Sequence, residues 1–187
     1  MAELLTIIFL AIGLAMDAFA VSIVDGSAYK HLHVKHAFRI AFLFGLFQAV
    51  MPLIGALAGL TIKEYIADYD HWIAFALLAG VGGKMIYESF KIEPIKKDAQ
   101  PASGVVLLVL SIATSIDALA VGITLPLLNV PLIISISIIG LITFILSYLG
   151  VYIGKKFGHF FESRIEVIGG VVLTTIGIKI LVEHLLA

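Results

Sequence analysis

The sequence predicts an all-α polytopic membrane protein, with six transmembrane helices arranged as two inverted three-helix repeats. Three observations predict it. The 187 residues are 61% hydrophobic and 13% charged, whereas a soluble domain is typically about 45–50% apolar and about 25% charged. The apolar residues fall into six continuous runs, each close to the roughly 20 residues that a spanning helix needs. The two halves of the chain also align with each other, at polar as well as apolar positions.

The runs cover about 4–24, 37–60, 72–90, 104–125, 131–154 and 166–186, each bounded by charge, proline or glycine. They are continuously apolar, where strands of a membrane barrel would alternate over about ten residues, so helices are expected. The first run follows Met1-Ala2-Glu3, which lacks the basic region of a signal peptide, and is expected to stay in place as a helix. The second holds Pro52, expected to kink it, with Gln48 one turn earlier as a candidate polar partner. The third and sixth hold the two lysines inside spans, Lys84 and Lys179. Between the third and fourth runs lies a polar stretch, Lys91 to Ser103, with Pro94, Pro101 and five charged residues. It divides the chain into a first repeat at 1–90, a cytoplasmic linker at 91–103 and a second repeat at 104–187.

The duplication is visible residue by residue. Ala11 to Ile23 and Ser111 to Ile123 share Ile, Asp, Ala, Ala, Val and Ile at a shift of 100. At a shift of 95, Gly45, Gly55 and Gly59 match Gly140, Gly150 and Gly154, and Gly82, Lys84 and Glu88 match Gly177, Lys179 and Glu183. Apolar sequences align easily by chance, but chance rarely brings Asp, Lys and Glu into register as well. Three spans per half force the second copy to sit upside down relative to the first, a recurring plan in secondary transporters. Lys30, Lys35, Lys91, Lys96, Lys97, Lys155, Lys156 and Arg164 fall in loops on one side, with Arg39 at an edge, and the other side has only Lys63. By the positive-inside bias the basic side is cytoplasmic and both termini are extracytoplasmic.

Asp17 and Asp117 stand near the middle of the first and fourth spans, each about 13 residues or roughly 20 Å from its helix start. An aspartate at that depth costs about 2.5–3.5 kcal/mol on insertion scales, so its duplication asks for a function. Small residues flank each one, Gly13 and Ala20 in the first case, Ala113 and Ala120 in the second, and let another helix approach. Two carboxylates, supplemented by Ser22, Thr114, Ser115 or backbone carbonyls, would suit a divalent cation such as manganese or magnesium. The structural alternative is that each aspartate only neutralises Lys84 or Lys179. Lys84 with Glu88, and Lys179 with Glu183, form a second tier of candidates at four-residue spacing on one helix face, competing with a simple interfacial pair. His31, His33 and His36 lie among lysines in a short loop and read as a solvated cytoplasmic face.

The exclusions narrow the function classes. With no cysteine, thiolate metal sites, disulfides and thiol nucleophiles are excluded together. A net charge of −1 gives no sign of a nucleic-acid partner. The stretch Gly80-Val81-Gly82-Gly83-Lys84-Met85 lacks the first glycine and the Ser or Thr of a Walker A loop, and no nucleophile elbow or His-Glu-x-x-His occurs. The residues therefore point away from an enzyme and from any cofactor. They point to a secondary transporter of a divalent cation, working by alternating access and driven by a proton or ion gradient. Export of a cationic amino acid, an intramembrane aspartic protease and a non-transporting scaffold remain as alternatives, and a homodimer stays open as an assembly.

The pair of motifs Met16-Asp17-Ala18-Phe19-Ala20-Val21-Ser22 and Ala113 to Gly122 resembles the MntP family of manganese efflux pumps. Phe44 to Gln48 with Met51 to Gly55, Gly83 to Glu88, and Gly177 to His184 resemble the family's second, third and sixth spans, so the resemblance covers almost the whole chain. It implies a six-helix protein of the bacterial inner membrane that exports Mn2+, with the metal as substrate and Asp17 and Asp117 as the metal-site aspartates. Ala15, where many members have serine, departs from the pattern and removes a hydroxyl there.

Overall fold

The computed structural model describes residues 2–28, 33–66, 102–125 and 131–157 without interruption, together with isolated positions within 72–87 and 171–182. Among the described residues there are helices and short connections, and no strand. The helices are α1 (Ala2–Ala28), α2 (Val34–Ile66), α3 (Gly104–Ala113), α4 (Ile116–Thr124) and α5 (Leu132–Phe157). Four stretches are long and apolar enough to cross a membrane: Leu4–Ser27, Val34–Leu60, Gly104–Thr124 and Leu132–Lys156. They coincide with the first, second, fourth and fifth runs of the sequence. The third and sixth runs lie outside the described residues except at isolated helical positions such as Trp72, Tyr87, Val171 and Val182.

Local chemistry starts and stops these helices. The His33 carbonyl accepts from the backbone N–H groups of His36 and Ala37 at 2.9 and 3.3 Å, opening α2. With 33 residues, α2 is roughly 50 Å long, more than the roughly 30 Å hydrocarbon core of a bilayer. The helix runs through Pro52, which is buried within it. Ser103 caps α3, its hydroxyl oxygen accepting from the Val106 N–H at 3.4 Å. The Pro131 carbonyl receives Ile134 and Ser135 at the start of α5, and proline itself offers no N–H that would be left over there.

The outer surface of the bundle is apolar. Leu5, Phe9, Phe42, Val105, Ile133 and Leu141 are all exposed, the distribution expected where the solvent is lipid. Inside, α1 is the most enclosed span. One buried cluster joins Leu10, Leu14, Met16, Ala20 and Ile23 of α1 to Ala118 and Val121 of α4 and Ile139 of α5. A second joins Ala18 of α1 to Ile40 and Phe44 of α2, Leu107 of α3 and Val151 of α5.

Glycines let the backbones meet. Gly45 and Gly140 face each other between α2 and α5, where a methyl on Gly45 would stand 2.9 Å from the Gly140 carbonyl oxygen. Gly55 of α2 lies against the Leu119 carbonyl of α4, and Gly150 of α5 lies against Phe19 of α1. Likewise Gly59 meets Ile123, and Gly154 meets Ile23. The partners are related by the sequence shifts of 95 and 100, so the same pair of contacts occurs twice. Each time, the second span of one half packs on the first span of the other.

Candidate cation site

The spanning stretch that carries Asp117 is broken in its middle. α3 ends at Ala113, Thr114 and Ser115 form a turn, and α4 begins at Ile116. The Ser115 N–H reaches back three residues to Ile112 at 3.1 Å, and the Leu119 N–H takes up the Ser115 carbonyl at 3.1 Å. Hydroxyls gather at the break. The Ser115 hydroxyl donates to the Ser111 carbonyl at 2.8 Å, and the Thr114 hydroxyl donates to the same carbonyl at 3.3 Å. Such bonds compete with the backbone ladder. At the equivalent positions α1 has Ala11, Leu14 and Ala15, which carry no hydroxyl, and α1 is continuous.

The break gives Asp117 its setting. It occupies the first turn of α4 and is only 8% exposed. A carboxylate there faces the positive end of a helix dipole. Interrupted helices within a membrane are tolerated where they line a cavity or site, because their freed backbone groups then find partners. Asp17 lies within unbroken α1 and is partly buried. Met16 and Ala20, beside Asp17, share the first buried cluster with Ala118, beside Asp117.

One side chain ties the two aspartate segments together. Gln48 of α2 is fully buried; its amide nitrogen donates to the Leu14 carbonyl at 3.1 Å, and its amide oxygen accepts from the Ser115 hydroxyl at 2.8 Å. Leu14 precedes Asp17 by three residues and Ser115 precedes Asp117 by two. The two segments are thus joined through one amide group and two hydrogen bonds. Gln48 was expected from sequence as a polar partner for Pro52; its partners are instead the backbone of α1 and the turn before α4.

The other sequence candidates divide. Ser22 is buried and donates to the Ala18 carbonyl at 2.6 Å, and Thr114 and Ser115 donate as described. Ser22 and Thr114 thus direct their proton to a main-chain carbonyl, Ser115 shares its single proton between the Ser111 carbonyl and the Gln48 amide oxygen, and all three keep lone pairs for a cation. Lys84, Glu88, Lys179 and Glu183 lie outside the described residues, as does His31. His33 is exposed, His36 half-buried, and their rings meet edge-on at 5.7 Å. Among the described residues no three His, Cys, Asp or Glu side chains gather to hold a metal. Beside the two carboxylates, the described residues offer hydroxyl and carbonyl oxygens, hard donors of the kind that suit Mn2+ or Mg2+.

One functional-looking residue escaped the sequence reading. Asp25, near the end of α1, is 6% exposed; one carboxylate oxygen accepts from the Ala102 N–H at 2.7 Å, which ties the residue before the α3 cap to α1. Its other oxygen is buried without a hydrogen-bond partner among the described residues.

A family model described as "Putative manganese efflux pump" matches residues 31–181. A protein of Gloeothece citriformis named "Putative manganese efflux pump MntP" is 52% identical over 183 residues, spanning 98% of this chain and 97% of its own. Proteins with the same name from Methanosarcina barkeri and Syntrophotalea carbinolica are 48% and 46% identical, each pairing covering at least 97% of both chains. No solved structure matches.

Proposed function

Because the chain belongs to the MntP family of manganese efflux pumps, we propose that it is a transporter of the bacterial inner membrane that exports Mn2+ from the cytoplasm. The metal is its substrate and not a resident cofactor. The observation that carries the reading is the pair of aspartates at repeat-equivalent places in membrane-spanning helices, one of them buried in the first turn of a half-helix. Such a placement suits a charge that passes through, since ionisable side chains within spans are costly to insert and mark ion pathways.

In this reading the chain has six spans in two inverted repeats, 1–90 and 104–187, joined by a cytoplasmic linker at 91–103, with both termini outside. The exchanged glycine contacts support it, because Gly55 on Leu119 and Gly150 on Phe19 are one contact made twice, as two inverted repeats would make it. Mn2+ loads from the cytoplasm onto Asp17 and Asp117, with oxygens of Ser22, Thr114 or Ser115 completing its shell. Lys84 and Lys179 are assigned to balancing the site when it is empty, and Glu88 and Glu183 stay as second-rank site residues. One repeat then rocks against the other, and protons from outside displace the metal.

The test is Mn2+ flux into liposomes containing the purified protein, compared with Asp17→Asn and Asp117→Asn, which remove charge at nearly constant volume. Wild-type flux with both variants silent is expected, and the same assay with Fe2+, Cd2+, Mg2+ and lysine reads selectivity. Unchanged flux in either variant would remove that aspartate from the site.

A further inference from the structure

A hydroxyl buried in a spanning helix has a ready partner in the carbonyl one turn before it. Ser22, Ser111, Ser115, Thr124 and Ser135 all use such a carbonyl. Thr143 and Ser147 of α5 do not. Both are fully buried, and neither hydroxyl has a hydrogen-bond partner among the described residues. A polar group left in that condition within a membrane is destabilising unless something else satisfies it.

Their place on α5 narrows what that could be. Gly140, Thr143, Ser147, Gly150 and Gly154 form one buried stripe at helical spacing. Its first end packs on Ala49 of α2 and its last end on Phe19 and Ile23 of α1. Thr143 and Ser147 lie between, where α5 passes from one neighbour to the other. Phe19 is two residues from Asp17 and Gly150 is three from Ser147, so this stretch of α5 lies near the first aspartate.

The equivalent stripe on α2 is Gly45, Gln48, Pro52, Gly55 and Gly59. There Gln48 fills the place of Thr143 and reaches two other segments with its amide. The threonine side chain is two bonds shorter and makes neither contact. What an amide does on one side of the bundle is left, on the other, to whatever enters.

We propose that the Thr143 and Ser147 hydroxyls form an oxygen subsite for the transported divalent cation, on the α5 side of the aspartate site. The inference rests on the transport reading above and adds two residues to it. Hydroxyls one turn apart stand roughly 5–6 Å from each other at the helix surface, a spacing that lets one ligate the ion while the other accepts from a water of its shell. Neutral hard oxygens hold Mn2+ weakly enough to release it, and prefer it to soft ions.

The test uses the full chain purified in detergent and in liposomes. Mn2+ binding is read directly from loss of the free-ion electron paramagnetic resonance signal, and flux is read separately. Thr143→Val with Ser147→Ala should weaken Mn2+ binding by on the order of tenfold, the loss typical of removing one supporting contact of a metal site. Thermal stability should hold or rise, because an unsatisfied polar pair leaves the core. Thr143→Ser should restore binding. Ser147→Cys, in a chain without other cysteines, should shift preference from Mn2+ toward Cd2+. Wild-type binding without flux would sink the transport reading alone. Binding equal in wild type and the double variant, or a Ser147→Cys protein with unchanged metal preference, would sink the hydroxyl subsite, and so would a wild type that binds no Mn2+.

Discussion

Gln48 and Ser115, 67 residues apart in the chain, share a buried 2.8 Å hydrogen bond, and through it the turn that precedes Asp117 is held to the helix that carries Asp17. The bond runs between the two halves of the chain. It also holds a hydroxyl at the place where, among the described residues, a spanning helix is interrupted.

Removing the amide should therefore act on both segments together. Gln48→Leu keeps the volume but removes both bridging hydrogen bonds, leaving the Ser115 hydroxyl with the Ser111 carbonyl alone. Two buried hydrogen bonds lost should cost about 1–3 kcal/mol, measured as a lower unfolding temperature in detergent. Mn2+ flux should fall along with it. Flux at the wild-type level in a destabilised Gln48→Leu protein would show that the bridge is structural only.

The glycine contacts give a graded expectation. Gly55→Ala would press a methyl into the Leu119 carbonyl, which is backbone and cannot turn aside. Gly150→Ala meets first the Phe19 ring at 2.7 Å, which can rotate, and then the Phe19 carbonyl oxygen at 3.0 Å, a milder approach than at Gly55. Overpacking of this kind costs typically about 1–3 kcal/mol, so Gly55→Ala should sit at the upper end and Gly150→Ala below it. Among the described residues nothing lies within 4 Å of a methyl added at Gly80, and Gly80→Ala should leave the unfolding temperature unchanged or raised. Equal effects at all three would mean that the close helix crossings do not limit stability.

How much of this was legible differs from residue to residue. The four spans followed from run length alone, since a bilayer fixes how many apolar residues a helix needs. The aspartates stood out because charge in such a run is rare. The break at Thr114 and Ser115 was missed, because hydropathy does not register which way a hydroxyl turns. The contrast of Ser111, Thr114 and Ser115 with Ala11, Leu14 and Ala15 was present in the aligned repeats and was the available signal. Thr143 and Ser147 carried none: only the packed structure distinguishes a hydroxyl bonded to its own helix from one that is not.

Orientation is open to a direct chemical test, because the native chain has no cysteine. Cysteines placed singly at Ala2 and Ala99 should react differently with an impermeant thiol reagent in intact cells. Ala2→Cys should label and Ala99→Cys should not until the cells are opened. The reverse pattern would turn the protein over, and with it the proposed direction of loading at Asp17 and Asp117.

Coupling is the last expectation, and it follows from the chemistry of the site residues. A proton and a divalent cation compete for the same carboxylate oxygens, so metal arriving at Asp17 and Asp117 displaces whatever protons they hold. If the site meets the cytoplasm and the outside in turn, that competition becomes an exchange of metal against protons. The alternative is a uniporter driven by the metal gradient, which the same two carboxylates would serve without any proton traffic. Liposomes loaded with a pH-sensitive dye and given a manganese gradient alone distinguish the two. Proton counterflow with each pulse of metal, lost in Asp17→Asn and Asp117→Asn, is expected, together with a rate that rises when a pH gradient is imposed in the exchanging direction. Metal flux without dye response, and at a rate indifferent to imposed pH, would remove proton exchange from the cycle and leave the aspartates as ligands of a passive path.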